Sequence, residues 1–74
     1  MSETRTVEIT LNGQRRQIAA TQTVAALLKA LSIDGSVGGV AVAVNASVVP
    51  RSRWGETPLN EGDDVEVVRA TAGG

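Results

Sequence analysis

The sequence predicts an α+β fold, in which one helix packs on one face of a β-sheet. Three observations predict this fold: an alternating segment that ends in Asn12-Gly13, an apolar stripe at helical spacing after Thr23, and a valine–alanine run from Val40 to Val44. The apolar stripe of a helix and the apolar face of a sheet must pack against each other to be buried from water. With 74 residues, the chain is expected to form a single domain over residues 1–74.

The first predicted element is a β-hairpin. Apolar and polar residues alternate from Thr6 to Leu11, as expected for a strand that is buried on one face. Asn12-Gly13 favours a type I′ turn, because both central residues of that turn need a positive φ. Gln14 to Ile18 is then predicted to return as a polar strand near a sheet edge, with Ile18 facing the core.

The helix is predicted to begin after Thr23, whose hydroxyl suits the N-cap position. Its apolar side chains recur at i, i+3, i+4 and i+7, which places them on one face. This stripe is interpreted as core packing and not as a binding surface. Its members are Val24, Leu27, Leu28 and Leu31.

Three further strands are predicted after the helix. The run from Val40 to Val44 places valines on one face and alanines on the other. The small alanines would suit close approach of a helix, but the pattern does not say which face the helix covers. Val48-Val49 forms a short strand that Pro50 ends, and Asp64 to Arg69 forms the last strand. If the last strand pairs in parallel with the first, the fold is a β-grasp, or ubiquitin-like, roll with a mixed sheet of four to five strands. The pattern gives the order of the elements but not their pairing.

Composition argues against several function classes. The chain has no cysteine and no histidine, so we expect no disulfide, no metal site and no histidine-assisted nucleophile. A net charge of −1 and a single aromatic residue, Trp54, argue against a nucleic-acid partner. No apolar run has the length of a membrane span. We therefore expect a cytoplasmic protein without a membrane partner, monomeric when free.

The C-terminal segment is the candidate functional element. Residues 70–74 are predicted to form a flexible tail that ends in Gly73-Gly74. Glycine lets a partner close around the backbone, and five or six extended residues span about 15 to 20 Å. The tail would thus carry its carboxylate into the active site of another protein. The simpler alternative is a frayed end without a function.

Residues along most of the chain resemble the thiamine-biosynthesis sulfur carrier family. The matching segments are Val42-Ala43-Val44-Asn45, Val48-Val49-Pro50-Arg51-Ser52, Trp54, Leu59, Gly62-Asp63 and Gly73-Gly74. The Val-Pro-Arg-x-x-Trp segment is the most specific, because related ubiquitin-like carriers usually lack it. The chain departs from the pattern at Ala72, where a third glycine is frequent.

The resemblance implies a protein cosubstrate rather than an enzyme, with no catalytic residues and no bound cofactor of its own. The Gly74 carboxylate would be adenylated by an E1-like activating enzyme, which uses ATP. A sulfur-relay protein, of the cysteine desulfurase or rhodanese type, would supply the sulfur that converts this adenylate to a thiocarboxylate. Thiazole synthase would then take the sulfur for the thiazole ring of thiamine.

The expected partner-binding residues lie in and before the tail: Val68, Arg69, Ala72 and Gly73, with a residue from the Val40 to Val44 strand. The Arg69 guanidinium is expected to pair with a partner carboxylate where the strand gives way to the tail. Trp54 has two interpretations, core packing or an anchor for a partner.

Three alternative functions remain open at this point. The chain would be a sulfur carrier for another pathway, such as molybdopterin, cysteine or transfer-RNA thiolation, or a ubiquitin-like modifier that joins Gly74 to lysine amines. The third alternative is an interaction module in which the terminal glycines have no role.

Overall fold

The computed structural model describes residues 5–34 and 38–70. The described elements, in chain order, are β1 (Thr6–Leu11), β2 (Gln14–Ala19), α1 (Val24–Ala30), β3 (Val40–Val44), β4 (Ser47–Val49), a 3₁₀-helix (Arg51–Glu56) and β5 (Asp64–Arg69).

The strands form one mixed sheet in the order β2-β1-β5-β3-β4. β5 pairs in parallel with β1 and antiparallel with β3, while β1–β2 and β3–β4 are antiparallel hairpins. The parallel β1–β5 pair is the arrangement that defines the predicted β-grasp roll, and the prediction is confirmed. It also places the last strand, from which the chain continues toward its C-terminus, at the centre of the sheet.

The first hairpin and the helix form as their local sequences predict. Asn12 and Gly13 have φ values of 50° and 84°, and β2 is a polar edge strand in which only Ile18 is buried. The Thr23 side chain accepts a hydrogen bond from the Ala26 amide at 3.2 Å, which caps the N-terminus of α1.

The core lies between α1 and one face of the sheet. It joins the helix stripe to side chains from the three inner strands: Ile9 of β1, Val42 of β3 and Val65 of β5. Leu59, in the loop before β5, is fully buried in the same cluster. Within the described residues, no helix is long and apolar enough to cross a membrane.

The structure decides which face of β3 the helix covers, a point that the sequence pattern left open: it is the valine face and not the alanine face. Val42 is buried against α1, while Ala41 is exposed on the opposite face of the sheet. The physical reason is that valine buries more apolar surface than alanine does, so the valine face is the better cover for the helix. The alanines are left on the face that α1 does not cover.

Trp54 packs in the core, as the first of its two interpretations predicts. Its side chain is only 6% exposed, and its Nε1 donates a hydrogen bond to the Val49 carbonyl at 2.9 Å. The guanidinium carbon of Arg51 lies 5.7 Å from the centre of the ring. An indole buried and bonded in this way has little surface left with which to anchor a partner.

Candidate functional site

The site begins where β5 ends, at Arg69. The next residue, Ala70, donates its amide to the Gly39 carbonyl at 2.7 Å, which extends the β3–β5 pairing by one residue pair. Gly39 has a φ of 92°, and a Cβ there would lie 3.3 Å from the Ala70 carbonyl oxygen. Glycine therefore fits both the backbone conformation and the close approach. The sequence predicts a tail that begins at Ala70, but this residue still pairs with β3 through its amide. The other predicted tail positions, among them Ala72, Gly73 and Gly74, lie outside the described residues.

One side of the sheet is not covered by α1, and we call it the open face. Ala41 of β3 lies opposite Val68 of β5, and Ala43 lies opposite Val48 of β4. We call these four residues the open-face patch. They step diagonally from β5 through β3 to β4, and Glu66 of β5 lies opposite Ala43 on the same face. Val48 and Val68 are 75% and 62% exposed, and they are the large hydrophobic side chains that the described residues expose most. Exposed apolar patches are candidates for protein binding, and this one lies beside the end of β5.

Val68 and Arg69 lie on opposite faces of the sheet, because successive residues of a strand alternate. Arg69 lies on the α1 side, beside an open groove of about 400 Å³ that Ser32, Ile33 and Asp34 also line. Arg69 takes part in no ion pair within residues 5–34 and 38–70. The predicted partner contacts at Val68 and Arg69 would therefore belong to two different surfaces, one on each face of the sheet.

The acidic side chains just before the start of β5 accept hydrogen bonds from other residues of the fold. The Asp63 carboxylate accepts hydrogen bonds from the Asn60 amide at 2.8 Å and from Asn45 Nδ2 at 3.0 Å. Glu61 Oε1 accepts one from the Glu8 amide at 2.9 Å. No group of three or more acidic side chains in the described part of the chain is placed to hold a metal ion.

Sequence reasoning predicted the patch only in part. It named Val68, Arg69 and an unspecified residue between Val40 and Val44, but it did not name Val48. Arg69 lies on the other face of the sheet, because successive strand residues alternate. The available signal was the alternation itself, since Val48 and Val49 must point to opposite faces of a strand. Which of the two is exposed depends on the β3–β4 register, which local sequence does not give.

This chain is similar to a known protein family and to several known proteins. The model of the family described as "ThiS family" matches residues 9–74. The protein named "Sulfur carrier protein ThiS" from Escherichia coli (strain K12) is 38% identical over 68 residues, which cover 92% of this chain and 100% of that protein. The crystal structure of a thiamine biosynthesis protein (ThiS) from Geobacter metallireducens has a TM-score of 0.76 at 30% identity, over 92% of this chain and 100% of that one.

A much longer protein contains a segment of the same kind. The protein named "Thiazole synthase" from Paramagnetospirillum magneticum is 37% identical over 68 residues. The alignment covers 92% of this chain but only 20% of the length of that protein. Over nearly its whole length, this chain therefore belongs to the ThiS family.

Proposed function

We propose that this ThiS-family protein is a sulfur carrier for thiamine biosynthesis that acts through the carboxylate of Gly74. The observation that carries the proposal is the extent of the family match, which runs through Gly73 and Gly74 to residue 74. The fold supports it, because β5 leads the chain out of the centre of the sheet beside an exposed apolar patch.

The chemistry requires activation of the carboxylate, which is a poor electrophile. A carboxylate oxygen attacks the α-phosphorus of ATP and pyrophosphate leaves, which gives the acyl adenylate. A sulfur nucleophile then attacks the acyl carbon and AMP leaves. The sequence contains no P-loop motif. An E1-like partner would therefore hold the ATP and its metal ion, and this chain is the cosubstrate.

The proposed recipient of the sulfur is thiazole synthase. In support, the Paramagnetospirillum magneticum protein of that name contains a segment that matches 68 residues of this chain. A carrier segment and its recipient in one chain would raise the local concentration of each for the other. The sulfur-relay step is assigned to a separate cysteine desulfurase or rhodanese-type protein. We propose a cytoplasmic location, where ATP is available for activation.

The direct test of the function is adenylation by a purified E1-like enzyme, followed as pyrophosphate release that depends on this chain. The intact mass of the protein from its own host should show a chain that ends at Gly74 and a fraction that carries sulfur in place of oxygen. If Gly74 is instead found in isopeptide linkage to other proteins, and no thiocarboxylate is found, the chain is a ubiquitin-like modifier. Pyrophosphate release that does not require this chain would contradict the proposal.

The open-face patch is expected to bind the activating enzyme through Val68. Val68→Lys should raise the KM for the carrier about tenfold or more, since tenfold corresponds to about 1.4 kcal/mol and burial of a valine contributes about 1.5 to 3 kcal/mol. Ala19→Lys, at an exposed position of edge strand β2, is the matched control and should leave the KM unchanged. Equal KM values for the two variants would show that the patch does not bind this enzyme.

Arg69 is expected to bind a partner acid on the other face of the sheet. Arg69→Glu should lower the adenylation rate at limiting carrier and leave the free energy of unfolding within about 0.5 kcal/mol of wild type, because Arg69 is exposed. Arg16→Glu makes the same charge change at an exposed position of β2. If Arg69→Glu reacts as fast as Arg16→Glu, Arg69 has no role in activation.

A further inference from the structure

Two turns led by asparagine hold β5, one on each side of the strand. Asn12 and Asn45 begin the tight turns β1–β2 and β3–β4, and their φ values are 50° and 51°. Each asparagine reaches from its turn to the backbone of β5 through its side-chain amide. Asn45 Oδ1 accepts from the Asp64 amide at 2.9 Å, at the start of the strand.

Asn12 bonds near the other end of β5, close to the tail. Its Oδ1 accepts from the Val67 amide at 2.9 Å, and its Nδ2 donates to the Val67 carbonyl at 3.2 Å. Its own backbone amide donates to the Val65 carbonyl at 2.9 Å. The side chain thus offers Val67 a donor and an acceptor, as the next residue of a neighbouring strand would.

The Asn12 side chain takes the place of a strand residue at a point where β1 has already turned away from β5. The β1–β5 register ends at Leu11 opposite Val65, whereas on the other side the pairing with β3 continues to Ala70. In the described residues, the Asn12 amide is therefore the last group that holds β5 from the β1 side. The turn itself does not require it, since Asp-Gly and Gly-Gly also form type I′ turns.

We propose that Asn12 is a positioning residue for the Gly74 carboxylate, a role that rests on the proposed function. By pairing with Val67, it fixes the point at which the chain leaves the sheet, and hence the position and direction from which the tail enters the activating enzyme. Without this amide, the end of β5 is held from the β3 side only. The last residues of β5 then have more conformations to lose when the activating enzyme binds the chain.

The test compares Asn12→Gly with Asn45→Gly. Glycine adopts the positive φ of both turns and removes the side-chain amide, and the backbone freedom that it adds is the same at both positions. Asn45→Gly removes hydrogen bonds from the start of β5, about 16 Å along the strand from Arg69. The two variants therefore loosen the same strand at two points, Asp64 and Val67, which are about 10 Å apart. Asn12→Asp keeps the turn and the acceptor for the Val67 amide, but it has no donor for the Val67 carbonyl.

Two measurements are expected to separate the variants. The Val67 amide should exchange with deuterium at least tenfold faster in Asn12→Gly than in wild type, and at the wild-type rate in Asn45→Gly. The kcat/KM for adenylation, per folded molecule, should fall about 5- to 30-fold in Asn12→Gly and less than twofold in Asn45→Gly. Asn12→Asp should lie between Asn12→Gly and wild type, and it replaces Asn12→Gly if that variant does not fold.

The inference is overturned if Asn12→Gly and Asn45→Gly lower kcat/KM equally, because the effect would then be general loosening of β5. It is also overturned if the Val67 amide keeps its protection in Asn12→Gly. If the wild-type chain itself is not adenylated, the proposed function fails. The structural half of the inference is then decided by the Val67 exchange rates alone.

Discussion

A chain that lacks Gly74 is expected to lose at least about 100-fold in adenylation rate and to form no detectable thiocarboxylate. The shortened chain still ends in a carboxylate, on Gly73, but that carboxylate falls about 3.5 Å short of the reacting position. A displacement of 1 Å can cost about 10²-fold in a reaction that depends on positioning. Stability should be unchanged, because the core side chains of the described residues lie between Ile9 and Val65.

The controls for this variant separate tail length from glycine itself. Gly74→Ala keeps the length and adds a methyl group beside the reacting carboxylate, so any loss measures how closely the partner surrounds the residue. Ala72→Gly keeps the length and places glycine where the family often has it, and it should react as wild type does. Adenylation of the shortened chain at the full rate would refute the role of Gly74 and leave only the fold.

The elements that could be predicted from the sequence are those fixed by neighbouring residues. Asn12-Gly13 determines its turn through the φ values of two adjacent residues, and Thr23 caps α1 three residues away. The pairing of β1 with β5 has no such local origin. It depends on contacts such as that between Asn12 and Val67, which are 55 residues apart, and no periodicity in the sequence encodes them.

For the candidate site, the terminal glycines predict a tail and the resemblance gives that tail a chemistry. Both stay predictions, because residues 71–74 lie outside the described part of the chain. The open-face patch was harder, because alternation in β3 distinguishes two faces without saying which one the helix covers. Burial of valine against α1 decides this in the folded protein, and as a result Ala41 and Ala43 join Val48 and Val68 on the other face.

The role of Asn12 could not be predicted for a different reason. Its local explanation, the type I′ turn, already accounts for asparagine at that position. The bonds to Val67 are a second use of the same side chain, and they become visible only once β1 and β5 are neighbours. When a local role already explains why a residue type occurs at a position, the sequence gives no sign that the same side chain has a second role.

Leu28→Ala is expected to have the opposite effect to removal of Gly74, since it should destabilise the fold and leave the chemistry of the folded fraction intact. Leu28 is 2% exposed in the core between α1 and the sheet. Truncation of a buried leucine costs about 2 to 5 kcal/mol, through lost burial and the cavity left behind. A domain of this size, with a core of aliphatic side chains and one tryptophan, has a free energy of unfolding near the low end of the usual range, about 5 kcal/mol.

Urea unfolding followed by the fluorescence of Trp54 is the suitable measurement, because this buried indole is the only tryptophan in the chain. Lys29→Ala, at the exposed neighbouring position of α1, is the control and should stay within about 0.5 kcal/mol of wild type. Adenylation by Leu28→Ala should fall only in proportion to the unfolded fraction, and a ligand or partner that binds the folded state should restore it. A loss below about 1 kcal/mol would show that Leu28 is not a central part of the core. A loss of activity in fully folded Leu28→Ala would mean that the helix side of the domain also contributes to partner binding.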